Sequence, residues 1–492
     1  MSTMDEAFTL HQAGRYAEAS KLYCDVLEES PNNADALNLL ASATRSLGDA
    51  ASAVRLARRA AEIAPFRPDI FYNLGNAAQA AGHMADAIDA WLEVVRLDPG
   101  HADAHANLGV AYGRQGRYDE AVAAYEQALA LKPDHRIAGH NIGNALGELG
   151  RFEEATAAFR RVLAHHPELP EAHYNLSLAL LRRGDYGNGF REYEARWTSA
   201  DFSHPPRHTR VPDWDGSMLN GRRLLVHAEQ GLGDTIQFGR LLRALSGFGG
   251  AVTFEAPGNL VRLLRPLGDV ADIVAEGKLH GPFDCQTPLL GLPHRLGLTF
   301  GSVPARVPYL APEREVTTAM ATRLRADRRP IVGLCWSGNP NSPADRGRSI
   351  HDLERLYPFR LVKGVRYVAL MKFGVDELTA SSSPTGWKVK GAPFDVEHLG
   401  PDFDSGPDAF VETAAVMGLA RVVVTTDTAV AHLAGALARP TLTMLKAVPD
   451  WRWGVEGETT PWYPEMILVR QPEPGNWLRV TERAAAMLSK MI

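Results

Sequence analysis

The pattern of apolar and polar positions changes character once along the 492 residues, near residue 198. Up to residue 197 the chain repeats itself. Gly14, Gly48, Gly82, Gly116, Gly150 and Gly184 are each 34 residues apart, and Pro31, Pro65, Pro99, Pro133 and Pro167 keep the same period. Between each glycine and the next proline sits a small residue (Ala19, Ala53, Ala87, Ala121, Ala155), followed in most copies by an aromatic one (Tyr23, Trp91, Tyr125, Phe159). This order predicts antiparallel helix pairs. The glycine takes φ > 0 where one helix stops, and the proline ends the second helix. The small residue lets the two helices approach, and the aromatic fills the space between adjacent pairs. Residues 198–221, with Pro205, Pro206, Pro212, Asp213 and Gly216, lack periodicity and read as an ordered connector. Beyond them, short apolar runs alternate with helical stretches: Leu224–Val226, Val252–Phe254, Asp272–Val274, Ile331–Leu334, Tyr367–Leu370, Val422–Val424 and Thr441–Met444. Such runs predict a parallel α/β arrangement. A break at 304–330 suggests two lobes, about 222–312 and 328–475. The final stretch, 476–492, is expected to be a helix packed back onto the first lobe.

A period of 34 with this residue order resembles the tetratricopeptide repeat (TPR) family over residues 1–197, about five and a half repeats. The last unit decays at Gly187, Gly189 and Arg196, and Glu192–Trp197 reads as a capping helix. A second row of the same period, Asn73, Asn107, Asn141 and Asn175, occupies one position of successive first helices. On the concave face of such a superhelix these amides offer a donor and an acceptor to an extended peptide backbone. Alternatively each amide bonds its own neighbouring repeat.

Composition narrows the picture. The formal charge is −6, and no basic run is interleaved with aromatics, so nucleic acid is not the expected partner. No run reaches the ~18 apolar residues needed to cross a bilayer. The start, Met1–Glu6, lacks a signal-peptide pattern. Cys24, Cys285 and Cys335 are far apart and read as reduced, buried thiols rather than a disulfide or zinc set. A cytoplasmic protein is expected.

Two motifs carry the chemistry. In His227–Phe238 a strand runs into Gly231-Leu232-Gly233-Asp234, with a helix beginning near Asp234. Free N–H groups at that helix start favour an anion, and a plain N-cap role for Asp234 is the alternative. In Val424–Ala436 a strand end delivers Asp427 and Thr428 to a helix of small residues, where Thr428 and the N–H groups of Thr428 and Ala429 can cradle a diphosphate. His432 follows one turn deeper on the same face. The alternative is a capped helix with a satisfied histidine.

Together, in this order and ~190 residues apart, the motifs resemble the GT-B glycosyltransferases, specifically the heptosyltransferase-like group and its TPR-fused relatives, which include bacterial protein and flagellin O-glycosyltransferases. The stretch Trp336-Ser337-Gly338-Asn339 through Arg346-Gly347-Arg348-Ser349 looks like that group's loop after the first strand of the second lobe. So do the aromatic loops Pro449–Trp453 and Thr460–Pro464. The implied fold is an N-terminal TPR α-solenoid followed by a two-lobed, Rossmann-like GT-B module. The resemblance implies Asp234 as general base. It implies Gly231, Gly233, Ser337, Arg348, Asp427, Thr428, Ala429 and His432 around the donor, with Arg348 neutralising the leaving nucleotide without metal. Trp451, Trp453 and Trp462 stack on base or sugar, or simply pack. Asp213-Trp214-Asp215 and Asp402-Phe403-Asp404 lie in connecting segments and are not expected to hold a metal.

The expectation is therefore an inverting, metal-independent glycosyltransferase without a cofactor. It would move a sugar from a nucleotide donor to a Ser/Thr hydroxyl of a protein, flagellin for instance, recruited by the TPR groove. A non-enzymatic TPR scaffold with a degenerate or sensory GT-B domain is one alternative, and a lipopolysaccharide-glycan transferase is another.

Overall fold

A computed structural model describes residues 2–339, 342, 345 and 347–492. Arg346, part of the Trp336–Ser349 loop, and Met1 lie outside the described residues. The chain forms two compact units that divide between Asn175 and Leu176.

The first unit is built of helix pairs: α1 (Thr3–Gln12) with α2 (Tyr16–Glu29), α3 (Ala34–Ser46) with α4 (Ala50–Ile63), and α5 (Pro68–Ala80) with α6 (Met84–Leu97). They are followed by α7 (Ala102–Arg114) with α8 (Tyr118–Leu131) and α9 (Arg136–Glu148) with α10 (Phe152–His165). The turn glycines Gly14 to Gly184 all have φ between 73° and 94°, which explains why no side-chain-bearing residue replaces them. The five alanines of the small-residue row are fully buried. The aromatics pack against a second glycine row that the sequence reading had not used. A Cβ on Gly75, Gly109 or Gly143 would meet Trp91, Tyr125 or Phe159 at 2.4–2.6 Å. One period earlier the same two slots hold Ala41 and Ala57, both buried, so the pair shares out a fixed volume. Cys24, expected to be buried, is exposed. Tyr23 takes the inward position of α2, and the next residue lies about 100° round the helix.

The division between the units falls inside α11 (Pro170–Arg182), so α12 (Tyr186–Glu192) and the 3-10 turn Tyr193–Thr198 belong to the second unit. That unit holds two sheets. The first lobe comprises β1 (Arg223–His227), α13 (Leu232–Gly239), β2 (Ala251–Ala256), the short α14 (Val261–Leu264), β3 (Asp272–Ala275), β4 (Cys285–Pro288) and the short α15 (Leu292–Arg295). Its sheet runs β3-β2-β1-β4, all parallel. After α16 (Arg314–Leu324) the second lobe contains β5 (Ile331–Cys335), β6 (Arg366–Ala369), β7 (Leu378–Ala380), β8 (Trp387–Val389) and β9 (Val396–His398). It continues with α17 (Val411–Leu419), β10 (Val422–Thr426), α18 (Ala429–Ala436), β11 (Thr441–Leu445), β12 (Met466–Arg470) and α19 (Trp477–Met491). The order is β12-β11-β10-β5-β6-β9-β8-β7, parallel except for the β9-β8-β7 edge. All seven sequence-read strands are present; β4, β12 and the β7–β9 edge are additional. The C-terminal helix corrects its expectation. Val480, Ala484 and Leu488 of α19 join the core of the second lobe with Leu356, Phe359 and Leu442, rather than the first lobe. Their spacing makes one apolar stripe, which packs on the 3-10 turn Leu353–Leu361 and on strands β10–β12.

The end of the tandem helices is fastened to the first lobe. Arg196 is fully buried, and its guanidinium donates to Glu229 at 2.9 and 3.2 Å and to Glu194 at 2.9 Å. Glu229 also accepts from the Leu290 N–H, and Gln230 donates to the Tyr193 hydroxyl at 2.7 Å. Arg196, which looked like decay of the repeat, is an anchor. Because Glu229 is what neutralises a buried cation, Glu229→Gln should destabilise residues 176–492 by about 3 kcal/mol. Urea unfolding followed by tryptophan fluorescence reads this, and a loss below about 1 kcal/mol would place the neutralisation elsewhere.

Candidate active site

Parallel sheets present ligands at the carboxyl ends of their strands. Here α13 leaves the end of β1 and α18 leaves the end of β10, and the two helices meet start to start. A Cβ at Gly233 would lie 3.1 Å from His432 Cδ2 and 3.4 Å from Ala429 Cα. Gly233 therefore serves close helix packing as much as ligand access. Two helix N-termini, each with free N–H groups and a positive dipole end, converge on one cleft of about 1190 Å³. Gly231, Gly233, Asp234, Ser337, Arg348, Asp427, Thr428, Ala429 and His432 all line it. Asn73, Asn107 and Asn141 lie in the first unit, and Asn175 is its last residue.

Helix α13 starts earlier than expected. Gly231 is its N-cap and Asp234 its third residue, so Asp234 Oδ2 accepts from the Gly231 N–H at 3.0 Å. Its other oxygen, Oδ1, is ion-paired with Arg452. Thr428 is the N-cap of α18, its hydroxyl accepting from the Val430 N–H at 3.3 Å.

The charged groups alternate along the cleft wall. Arg348 Nε stands 3.3 Å from Asp427 Oδ2, and its Nη2 stands 3.2 Å from Asp450 Oδ2. Asp450 Oδ1 accepts from Arg452 Nη1 at 2.7 Å, and Arg452 Nε donates to Gln237 Oε1 at 2.9 Å. The Asp427–Arg348 approach lacks hydrogen-bond geometry, leaving Asp427 Oδ2 and Arg348 Nε without a partner among the described residues. A buried carboxylate oxygen and a guanidinium N–H with unused capacity suit a polar ligand. Burial pushes the Asp427 carboxyl above its usual range, while Asp427 holds the Arg348 guanidinium firmly charged. Asp450 is also desolvated, yet Arg452 and Arg348 beside it drive its carboxyl far below the usual range.

Sequence reading missed Asp450 and Arg452, although two charges between the prolines and tryptophans of Pro449–Trp453 were the available signal. The tryptophans pack: Trp451, Trp453 and Trp462 are 2%, 1% and 0% exposed. Trp453 stacks on His432 at 5.1 Å with a 16° interplanar angle, and Trp462 donates to the Tyr186 hydroxyl at 3.2 Å. Asp404 caps α17 through the Glu412 and Thr413 N–H groups, and Asp213 accepts from Gln286. Among the described residues no group of three His, Cys, Asp or Glu is arranged to hold a metal ion. No described helix is long and apolar enough to cross a membrane.

In the first unit the asparagine row links repeats. Asn73 donates to Asn38 at 2.9 Å and Asn107 to Asn76 at 3.2 Å. Asn141 bonds the Tyr125 hydroxyl, and Asn175 approaches His140 Nε2 at 3.5 Å.

His432, buried beneath Trp453 and bonded to the Tyr463 hydroxyl at 3.0 Å, is held neutral because burial pushes its imidazole well below 6.5. The unfolded chain takes up that proton below about pH 6.5 and the folded one does not, so the stability it contributes is intact above that pH and lost as pH falls. Asp427, with its raised carboxyl, acts in the opposite sense. His432→Gln should thus flatten the acid-side fall of the unfolding midpoint between pH 6.5 and 5, measured against wild type, and leave the midpoint's pH dependence above 7 unchanged.

Residues 10–71 match one tetratricopeptide-repeat model, and residues 72–136 and 140–203 match another. Residues 406–480 match the model of glycosyltransferase family 9 (heptosyltransferase), a span that contains Asp427, His432, Asp450 and Arg452 but not Asp234. Protein FlbA of Caulobacter vibrioides is 26% identical over 336 residues, covering 63% of this chain and 53% of that protein. The chain thus spans about half the length of that relative. Among solved structures, MamA is 28% identical over 34% of this chain and 91% of its own, with a TM-score of 0.32. A TPR protein of Thermus thermophilus is 25% identical over 36% of this chain and 97% of its own, with a TM-score of 0.30. At these scores neither adds to the argument. On the family matches, the chain carries tetratricopeptide repeats within residues 10–203, followed by a region whose residues 406–480 match glycosyltransferase family 9.

Proposed function

We propose that the cleft transfers a sugar from a nucleotide-sugar donor to a Ser/Thr hydroxyl of a protein acceptor bound by the TPR region. The observation that carries this reading is the convergence of α13 and α18 at one cleft beside Arg348 and Arg452. Two helix starts and two guanidiniums form a site for a diphosphate and stabilise the charge it gains on departure, without a resident metal.

In the proposed step, the acceptor hydroxyl gives its proton to the Asp234 carboxylate as its oxygen bonds to the anomeric carbon. The bond from that carbon to the diphosphate breaks, and the nucleoside diphosphate leaves with the electron pair. Attack from the face opposite the diphosphate inverts the anomeric centre. Thr428 and the N–H groups starting α18 hold the phosphates, with Gly231, Gly233 and Ser337 keeping the approach open. Asp427 Oδ2, buried and without a hydrogen bond among the described residues, accepts from a donor hydroxyl. His432 shapes the floor as a neutral ring. The asparagine row, together with the tyrosines and histidines beside it, is the proposed acceptor surface. Flagellin in the cytoplasm fits such an acceptor, and two glycosyl carboxylates are not required because the donor already carries its leaving group.

The test is a thermal-shift panel of UDP, GDP, ADP and CMP. One nucleotide at 100 times its dissociation constant should stabilise residues 176–492 by about 2.7 kcal/mol. Replacing Thr428 by Val should weaken the effect at least tenfold in affinity, by about 1.4 kcal/mol. With the matching nucleotide sugar, Asp234→Asn should lower transfer to protein by at least about a hundredfold. No stabilisation by any nucleotide at millimolar concentration would remove the transferase reading and leave a TPR scaffold.

A further inference from the structure

Asp234 is the proposed base, yet neither of its oxygens is free: Oδ2 accepts from the Gly231 N–H and Oδ1 is held by Arg452 Nη2. A hydroxyl that is to give its proton to Asp234 must share a carboxylate oxygen with one of these two donors. The holder is itself anchored from behind. Arg452 Nε is bonded to Gln237, whose side chain is fully buried, and Nη1 to Asp450. The ring of Trp451 lies against the guanidinium, 4.4 Å from its carbon. Asp234 and Asp450 line the cleft, with 21% and 15% of their side chains exposed, whereas Gln237 does not; of the two, Asp450 is also held by Arg348 and Asp234 is the more open.

We infer that Arg452 exchanges partners during the reaction: its Nη2 releases Asp234 and donates to the donor diphosphate, so that the donor's arrival frees the base. This rests on the reading of the cleft as a diphosphate site. Nε and Nη1 keep their bonds to Gln237 and Asp450, which makes the exchange a small rotation of one group rather than a movement of the loop. The diphosphate between the starts of α13 and α18 and the Asp234 carboxylate compete for the same N–H, and binding free energy that breaks the Asp234–Arg452 pair is returned as an unpaired carboxylate beside the acceptor. The base is thus masked until there is something to transfer. Arg452 is accordingly a catalytic residue for the departing diphosphate and a switch for Asp234.

Competition leaves a signature that does not need turnover. If Asp234 occupies Nη2 in the unliganded protein, Asp234→Asn removes the competitor, and the nucleoside diphosphate selected by the thermal-shift panel should bind on the order of fivefold tighter. Loss of one negative charge near the site would tighten binding through space as well, so Arg452 must be shown to mediate the gain. In the Arg452→Gln background the diphosphate should bind more weakly than to wild type, and adding Asp234→Asn should then change affinity by less than about twofold. Isothermal titration at fixed ionic strength reads all four affinities. If Arg452→Gln does not fold, Arg452→Lys serves: one ammonium cannot hold Gln237, Asp450 and Asp234 together, and the gain from Asp234→Asn should shrink.

Tightening by Asp234→Asn that disappears without Arg452 is the expected result. An unchanged or weaker affinity in Asp234→Asn, or a gain that persists in the Arg452→Gln background, overturns the exchange while leaving the diphosphate site intact. No binding of UDP, GDP, ADP, CDP or inorganic pyrophosphate to wild type or Asp234→Asn overturns both the exchange and the transferase reading beneath it.

Discussion

Two helices from different lobes begin within van der Waals reach of each other, and a Cβ at position 233 would crowd His432 at 3.1 Å. That approach brings two positive helix ends together with two guanidiniums, an arrangement that repels itself unless anions intervene. In the unliganded protein the anions are supplied by the chain: Asp427, Asp450 and Asp234 alternate with Arg348 and Arg452. The order of charges along this wall governs most of what is unusual in the site. It lowers the Asp450 carboxyl, while burial raises that of Asp427, and it leaves Asp427 and Arg348 close but without hydrogen-bond geometry.

The loops that carry these charges are braced from outside the lobes. Tyr186 and Phe190, on the last tandem helix, pack against Trp462 and Trp451 of the second-lobe loops. Tyr193 and Arg196, just after it, hold Gln230 and Glu229 at the entrance to the first-lobe motif. The final half-repeat thus touches both motif-bearing loops, and belongs by its contacts to the α/β unit. An element placed in this way is more than a tether, since its aromatic residues pack on Trp451, whose ring lies against Arg452.

Much of the architecture was legible in the sequence because its signals are periodic or local. Glycines at φ near 75° recur every 34 residues, and buried strands read as apolar runs. Both motifs lie where a strand end meets a helix start, and Asp234, Asp427, Thr428 and His432 line one cleft. What stayed hidden depends on tertiary pairing. Arg196 looked like repeat decay because its partner, Glu229, stands 33 residues on in another element. Asp450 and Arg452 sat inside an aromatic loop read for its tryptophans, and only the fold shows them reaching Asp234, 218 residues away. The β7–β9 edge is short and polar, and α19 is amphipathic enough for either lobe, so neither could be placed without the packing.

The most direct measurement of the central claim is a crystal structure with the nucleoside diphosphate bound. The account predicts the diphosphate between the first turns of α13 and α18, with Arg452 Nη2 on a phosphate oxygen and Asp234 Oδ1 released. A diphosphate bound away from these helix starts, or one seated there with the Asp234–Arg452 pair still closed, would contradict it.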